Sequence, residues 1–557
     1  MENPFLLIVV FVVCLIAYQL LTRNRRKLKN IRQEWESGTY IALQEDLQSI
    51  SSYWKNKKEH AEFYAGIDQI TWDDLAMDQV FKKMNYTRTS VGSEYLFNQL
   101  RDIDPKLEGL QSKEELYALV AKDDKLREQV LLILSSLGKR NYADSSSYFY
   151  RFNDHKIKFA YVYVLLACVP IFSVFLMFFS LKVGLVSLIS SLLINALVYY
   201  RNKKTLENDL HSITYAAAIV NTGKSLASIR NPQFSLYRDI LKREGKGLKR
   251  VSFFGKVLSI GTYTGGDFDI LLEYFRIVFL LDFISYNQIV KAIVTHQNAY
   301  QQLWEAIGEL DAAIAVAFYR KSLSTYTLPQ FIDKEELSFE DLAHPLLDDP
   351  VTNSSILNKT VLITGSNASG KSTYIKAVAI NAILAQTIHT VLAATWTMKP
   401  SYIVTSMAIQ DNVLDGDSYF IAEIKSLKRI IRLSQAKKPL ISFVDEILKG
   451  TNTIERISAS AAIMEWFSAN KGMNIIASHD IELTEMAEGV YTNYHFRESI
   501  EDGEVLFDYK IHEGPSVTRN AIKLLEILEY PESVISQANQ LAQHFTDIRE
   551  WKELNPV

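Results

Sequence analysis

Nine consecutive residues can hold a triphosphate. Gly365, Ser366, Asn367, Ala368, Ser369, Gly370, Lys371 and Ser372 fit the spacing G-x-x-x-x-G-K-[ST], and Thr373 extends it. Glycines at both ends let successive N–H groups curl toward phosphate oxygens. The helix expected after the loop adds the partial positive charge of its N-terminus. Lys371 is placed to reach the β- and γ-phosphates, and the Ser372 hydroxyl to ligate Mg²⁺. Downstream, the run PLISFVDE ends in Asp445 and Glu446. Phosphoryl transfer needs one carboxylate for the metal and another to orient and deprotonate water, which suits Asp445 and Glu446 respectively. His479 follows another apolar run, Met473–Ala477. It is read either as a γ-phosphate sensor or as an ordinary surface histidine. The chemistry implied is ATP binding and hydrolysis with Mg²⁺.

The elements around these residues have the right character. Val361–Thr364 reads as a buried strand, and the residues after Gly370 have helical periodicity. From about Leu328, short β-rich runs alternate with helical patterns: Val361–Thr364, Tyr402–Met407, Leu440–Val444, Met473–Ala477, Tyr494–Phe496 and Val505–Ile511. That alternation predicts an α/β domain over residues 328–557, closed by helices at Thr518–Leu528 and Pro531–Phe545. Residues 23–158 and 201–327 read as mostly helical, with a turn near Asn85–Gly92 and long antiparallel helices around Phe275–Leu310.

Two stretches are too apolar for an ordinary surface. Pro4–Leu21 is uncharged and followed by Arg23, Arg25, Arg26, Lys27 and Lys29. That order opposes a cleaved leader and predicts an anchor over residues 1–22 with its C-terminal side cytoplasmic. Residues 159–200 hold two more apolar runs, split at Lys182 and flanked by Lys156, Lys158, Arg201, Lys203 and Lys204. They are read as a transmembrane hairpin, the other reading being a buried hairpin in a soluble core. Three spans then make a multi-pass protein of the inner (plasma) membrane with its large segments in the cytoplasm. The basic cluster Lys242–Arg250 is read as a solvated loop facing the membrane, or alternatively as a nucleic-acid patch.

The 557 residues suffice for about three or four domains. A net charge of −4 gives no global field for nucleic acid. Cys14 and Cys168 both lie in apolar runs, so no disulfide framework is expected.

In combination the motifs resemble one family closely, the MutS ATPases of DNA mismatch repair. Where that family has TGPNMGGKST, DEIGRGT and a THxxEL run, this chain has TGSNASGKST, DEILKGT and Ser478-His479-Asp480-Ile481-Glu482-Leu483. Asp415–Ile424 looks like the family's SGRSTFxxEM loop, and His344-Pro345 like the HP that opens its ATPase domain. The resemblance covers Ile70–Leu100 and roughly Leu310–Ala542. It implies an ABC-type, MutS-like P-loop domain preceded by a helical core and lever. It also implies a homodimer in which Asn367 and Ser418 meet across the interface, Ser418 reaching the neighbour's γ-phosphate. DNA is the implied partner, without mismatch specificity. Before Ile70 there is no room for the mismatch-reading domain, and Phe63-Tyr64-Ala65 lacks the glutamate of its wedge. The expected activity is therefore that of a membrane-anchored ATPase coupling closure to a helical lever. The alternative is a tethered clamp for branched or non-mismatched DNA with ATP as a switch. A transporter fits poorly, since an LSGGQ-like signature is missing.

Overall fold

A computed structural model describes residues 22, 24–40, 45–60, 66–155, 157, 159–259, 267–366, 369–407, 419–436, 438–449, 451–501, 504–516, 521–527, 529–548 and 550. The expected anchor Pro4–Leu21, and Asn367, Ala368, Ser418 and the Phe63–Ala65 stretch, lie outside them. The chain forms two compact units. One gathers Met1–Tyr64, Phe81–Leu100 and Gln111–Ser322; the other gathers Ala65–Val80, Arg101–Leu110 and Leu323–Val557.

The first unit is helical. Its core helix, Gln297–Ser322, is buried without interruption from Leu310 to Arg320. A helix apolar on every side must be enclosed on every side, and its alanines let neighbours approach closely. Asp311 on this helix is fully buried and accepts from the backbone N–H groups of Arg88 (2.9 Å) and Thr89 (2.8 Å) and from the Thr89 hydroxyl (2.7 Å). It thus serves the turn expected near Asn85–Gly92, just before the Ser90–Arg101 helix. Gly92 permits this, because a Cβ there would lie 2.2 Å from the Asp311 carboxylate.

The apolar region forms helices Tyr161–Leu176 and Leu181–Leu226, joined by a short connection. The second runs 46 residues without a break and, among the described residues, is the one helix long and apolar enough to cross a membrane. The first has 16 residues and contains Pro170, so it falls short of the spanning length expected for Phe159–Leu181. The hairpin is not buried in a soluble core: Phe178, Leu181, Val186 and Leu197 are all exposed. The Lys242–Arg250 cluster is helical rather than a loop, lying on Ser235–Gly247 and Lys249–Ser259.

The second unit holds two sheets. All six expected strands form: β4 (Thr360–Thr364), β6 (Tyr402–Ser406), β7 (Leu440–Asp445), β8 (Met473–Ser478), β9 (Thr492–Glu501) and β10 (Glu504–Glu513). They make one sheet in the order β10-β9-β4-β8-β7-β6, parallel except for the β9–β10 pair. β4 and β8 are buried along their whole length, as expected of strands covered on both faces. Four strands escape sequence reading: β1 (Gln330–Phe331), β2 (Leu337–Leu342), β3 (Asn353–Leu357) and β5 (Thr395–Met398). They form a second sheet in the order β1-β5-β2-β3. Their runs, such as LSFEDL and NSSIL, are short and half polar because one face meets solvent.

A helix distant in sequence completes the larger sheet. Gln69–Asp74 covers edge strand β6: Asp74 accepts from the Thr405 hydroxyl (2.6 Å) and the Met407 N–H (3.1 Å), and Asp68 pairs with Arg429. An edge strand left open exposes unpaired backbone groups, so this cover has a structural purpose. The boundary expected at 328 therefore omits part of the sheet unit, which draws on residues 65–80 and 101–110.

Candidate active site

Strand register brings the chemistry together. Thr364 at the end of β4 pairs with Ser478 on β8, and Asp445 at the end of β7 pairs with Ala477. The residues that follow, Gly365, His479 and Glu446, consequently emerge side by side at the carboxyl edge of three adjacent parallel strands. Ligand crevices in open α/β sheets lie at that edge.

Gly365 has φ +146°, and a Cβ there would lie 2.7 Å from the Phe496 carbonyl, so glycine is required. Gly370, at φ +106°, caps the Lys371–Ile388 helix, which is buried from Tyr374 onward except at Lys376. Ser372 and Thr373 lie exposed on its first turn. Ser366 donates to Glu498 at 2.8 Å.

The Lys371 side chain is buried, and its ammonium donates to the carbonyls of Gly365 and Ser366, each at 2.7 Å. Burial lowers its pKa to about 8, against the opposing pull of Asp445 and Glu446. His479 bridges this lysine to Glu446. Its Nε2 meets Glu446 Oε1, while Nδ1 lies 3.3 Å from Lys371 Nζ and 3.0 Å from the Gly365 carbonyl. Nδ1 can accept from the ammonium when it is unprotonated and can donate to the Gly365 carbonyl when it carries the proton.

Glu446 also pairs with Lys449 at 2.9 Å. Burial raises its carboxyl, but hydrogen bonds from His479 and Lys449 prevail and hold it at about 2. Glu446 sits at φ +65° and Leu448 at +59°, left-handed conformations that cost energy for residues with a Cβ. Strain at a carboxylate of a phosphate site points to a functional constraint.

Two buried oxygens in the crevice, Asp445 Oδ1 and Ser369 Oγ, bond to no described protein group. An acceptor on the carboxylate and a hydroxyl in the loop are the donor set that hard cations and phosphate oxygens use. The residues present therefore fit Mg²⁺ and a nucleotide. A cavity of about 250 Å³ is lined by Gly370 together with His344, Asn353, Thr373, Tyr374 and Tyr509. Its aromatic and polar walls suit a base or sugar.

Lys449, Arg456, Tyr374 and Tyr509 were not singled out from sequence. Arg456 donates to both Asp480 oxygens, at 2.7 and 3.0 Å, which anchors the loop carrying His479. Lys449 was legible as a cation three residues after Glu446. Tyr509 was not, because it arrives from β10 through tertiary folding alone.

The comparisons concern the same stretch of chain. Residues 361–546 match the family model described as MutS domain V. The chain is a MutS-like protein. It is 31% identical over 267 residues to the DNA mismatch repair protein MutS of Geobacillus sp. (strain WCH70), a match covering 45% of this chain and 31% of that relative. The MutS of Methanosarcina mazei is 28% identical over 277 residues, covering 47% of this chain and 30% of the relative. Human MutS protein homolog 4 is 26% identical over 293 residues, covering 49% and 31%. The MutS-like chain thus spans about a third of the length of the curated relatives it matches.

Proposed function

We propose that this MutS-like chain is an Mg²⁺-dependent ATPase, anchored in a membrane, that works as a homodimer and couples closure of its sites to the helical unit. The observation that carries the reading is the meeting of Lys371, Glu446 and His479 at one strand edge. ATP with Mg²⁺, when bound, supplies a phosphoanhydride whose γ-phosphoryl can pass to water. Lys371 would hold phosphate oxygens, with backbone N–H groups of residues 365–373 beside it. Ser372 and Asp445 would hold the metal. Glu446 would take the proton of the attacking water, a task for which a carboxyl near 2 is too weak a base. His479 and Lys449 together hold the carboxylate in its ionised form, with its oxygens aimed into the crevice where the attacking water would lie. Ser418 of a second copy would complete the site in trans, as the family resemblance implies.

Steady-state phosphate release tests the assignment. Glu446→Gln should bind ATP normally but turn over roughly 10²–10⁴-fold more slowly. Lys371→Ala should lose nucleotide binding itself. Unchanged turnover in Glu446→Gln would remove Glu446 from the reaction.

A second reading, a DNA-binding clamp, has one observation in its favour. Two adjoining cavities of about 850 and 680 Å³ on the helical unit share Lys246 and Lys249 and add Lys224, Arg250, Lys256 and Lys291. No carboxylate lines either among the described residues. Burial and the nearby Lys256 and Lys249 lower the Lys224 pKa, the mark of cations crowded without partners. Phosphate-backbone binding there gives a log–log salt slope of about −0.9 per contact. The double substitution Lys224→Glu, Lys249→Glu should reduce that slope by about 2 in duplex anisotropy titrations. A salt-independent affinity would dismiss the clamp.

A further inference from the structure

The foot of the apolar hairpin is built from polar groups. Tyr199 donates to Asp282 Oδ2 and Arg276 to Asp282 Oδ1, both at 2.8 Å, and Asp282 is 2% exposed. One turn earlier, fully buried Asn195 donates to the carbonyls of Leu166 (3.1 Å) and Val278 (2.7 Å). These bonds tie Tyr161–Leu176, Leu181–Leu226, Asp267–Val278 and Leu281–Thr295 together where exposed apolar surface gives way to charge.

Beside this foot lies a cavity of about 400 Å³, lined by Arg140, Lys203, Glu207, His211, Arg276 and Asp282. Asp282 is satisfied by Tyr199 and Arg276. Arg140 and Lys203 instead rest over the rings of Tyr215 (5.6 Å) and Tyr199 (5.2 Å), with no ion pair among the described residues. Burial and Arg140 lower the His211 pKa, leaving a neutral ring with an N–H to donate. The flanks are greasy: Leu197, Tyr200, Tyr274 and Phe275 are all exposed. A cationic cavity joined to an exposed apolar face suits an amphiphile whose charged end is a phosphate. Glu207 on the rim disfavours a dianion, so a singly charged phosphodiester fits better than free phosphate.

We propose that this cavity holds the phosphodiester headgroup of a phospholipid, Lys203 meeting the phosphate oxygens at the hairpin end, Arg140 adding positive charge at the other end of the cavity, and the acyl chains lying along the hairpin. The proposal rests on the membrane reading above and adds a specific lipid site to it. Full-length protein in mild detergent, incubated with phosphatidylglycerol or phosphatidylethanolamine, is examined by native mass spectrometry. Wild type should retain lipid, and Arg140→Gln with Lys203→Gln should retain about tenfold less, the loss expected for charge-assisted hydrogen bonds. Lys203→Gln alone, which leaves the Arg140–Tyr215 contact intact, should show an intermediate loss. Lys125→Gln removes one exposed charge that lines none of these cavities and should retain lipid as wild type does. Vesicle flotation is measured in parallel. If wild type fails to float, the membrane reading falls and this proposal with it. If it floats but the Arg140 and Lys203 variants retain lipid like wild type, only the headgroup site is overturned. Displacement of lipid by millimolar inorganic phosphate would equally overturn it, by showing a site for free phosphate.

Discussion

Lys371 carries a consequence of its burial that can be measured. An ammonium placed among carbonyls is desolvated, and Asp445 and Glu446 only partly offset the cost, which leaves its pKa at about 8. Because this folded value lies below the ordinary lysine value, the native state binds fewer protons than the unfolded one between about pH 8 and 10.5. Stability from this group is therefore least below pH 8 and rises as pH climbs through that window. Nucleotide binding acts in the opposite sense, since phosphate negative charge favours the ammonium. ATP binding at pH 8 should take up roughly half a proton per site, and affinity should fall as pH rises beyond 8. Calorimetry in two buffers of different ionisation enthalpy reads this directly. Lys371→Arg should abolish the uptake, and its absence in wild type would contradict the lowered value.

Among the elements, the Gln69–Asp74 helix shows how far a sheet can reach for its cover. Its Asp74 is buried and serves two donors of β6 and the residue after it. Asp74→Ala leaves the Thr405 hydroxyl and Met407 N–H without that acceptor, at a cost of about 1–3 kcal/mol. Asp74→Asn keeps one acceptor oxygen and should lose about half as much. Chemical denaturation should rank wild type above Asn and Asn above Ala; equal midpoints would show that water replaces the carboxylate. The same reasoning explains why strand-end chemistry was readable. A fully apolar strand followed by charged residues has few places to go other than through a sheet and out at its edge.

For the whole molecule, the apolar hairpin is the feature to probe. Leu181–Leu226 has the length and the exposed apolar face to span, while Tyr161–Leu176 reaches only part-way on its own. A hairpin with both ends cytoplasmic places Lys182 at the far side and the site-bearing unit on the near side. Impermeant thiol labelling of single-cysteine variants in intact cells should modify Lys182→Cys and leave Asn30→Cys and Val557→Cys untouched. Labelling at Val557 from outside would reverse the topology. The proposed orientation rests on the Lys and Arg residues flanking the run, Arg201, Lys203 and Lys204 among them.

Local signals wrote the phosphate loop, the carboxylate pair and the six strands of the larger sheet into the chain, because each depends on residues adjacent in sequence. Gly365, Gly370, Lys371 and Ser372 declare themselves by spacing, and β4 and β8 by unbroken apolar runs. The family likeness over residues 361–546 follows from the same contiguous motifs. Folding decided what adjacency cannot express. It set His479 between Lys371 and Glu446 through the β4–β8–β7 register, and brought Tyr509 to the wall of the cavity beside Gly370. It turned the Lys242–Arg250 run into two helices whose cations join Lys224 and Lys291. It also closed the edge of a C-terminal sheet with a helix from residue 69. Pairings between residues hundreds of positions apart leave no periodicity in sequence, since their energy comes from burial and complementary hydrogen bonds that exist only once the chain has folded.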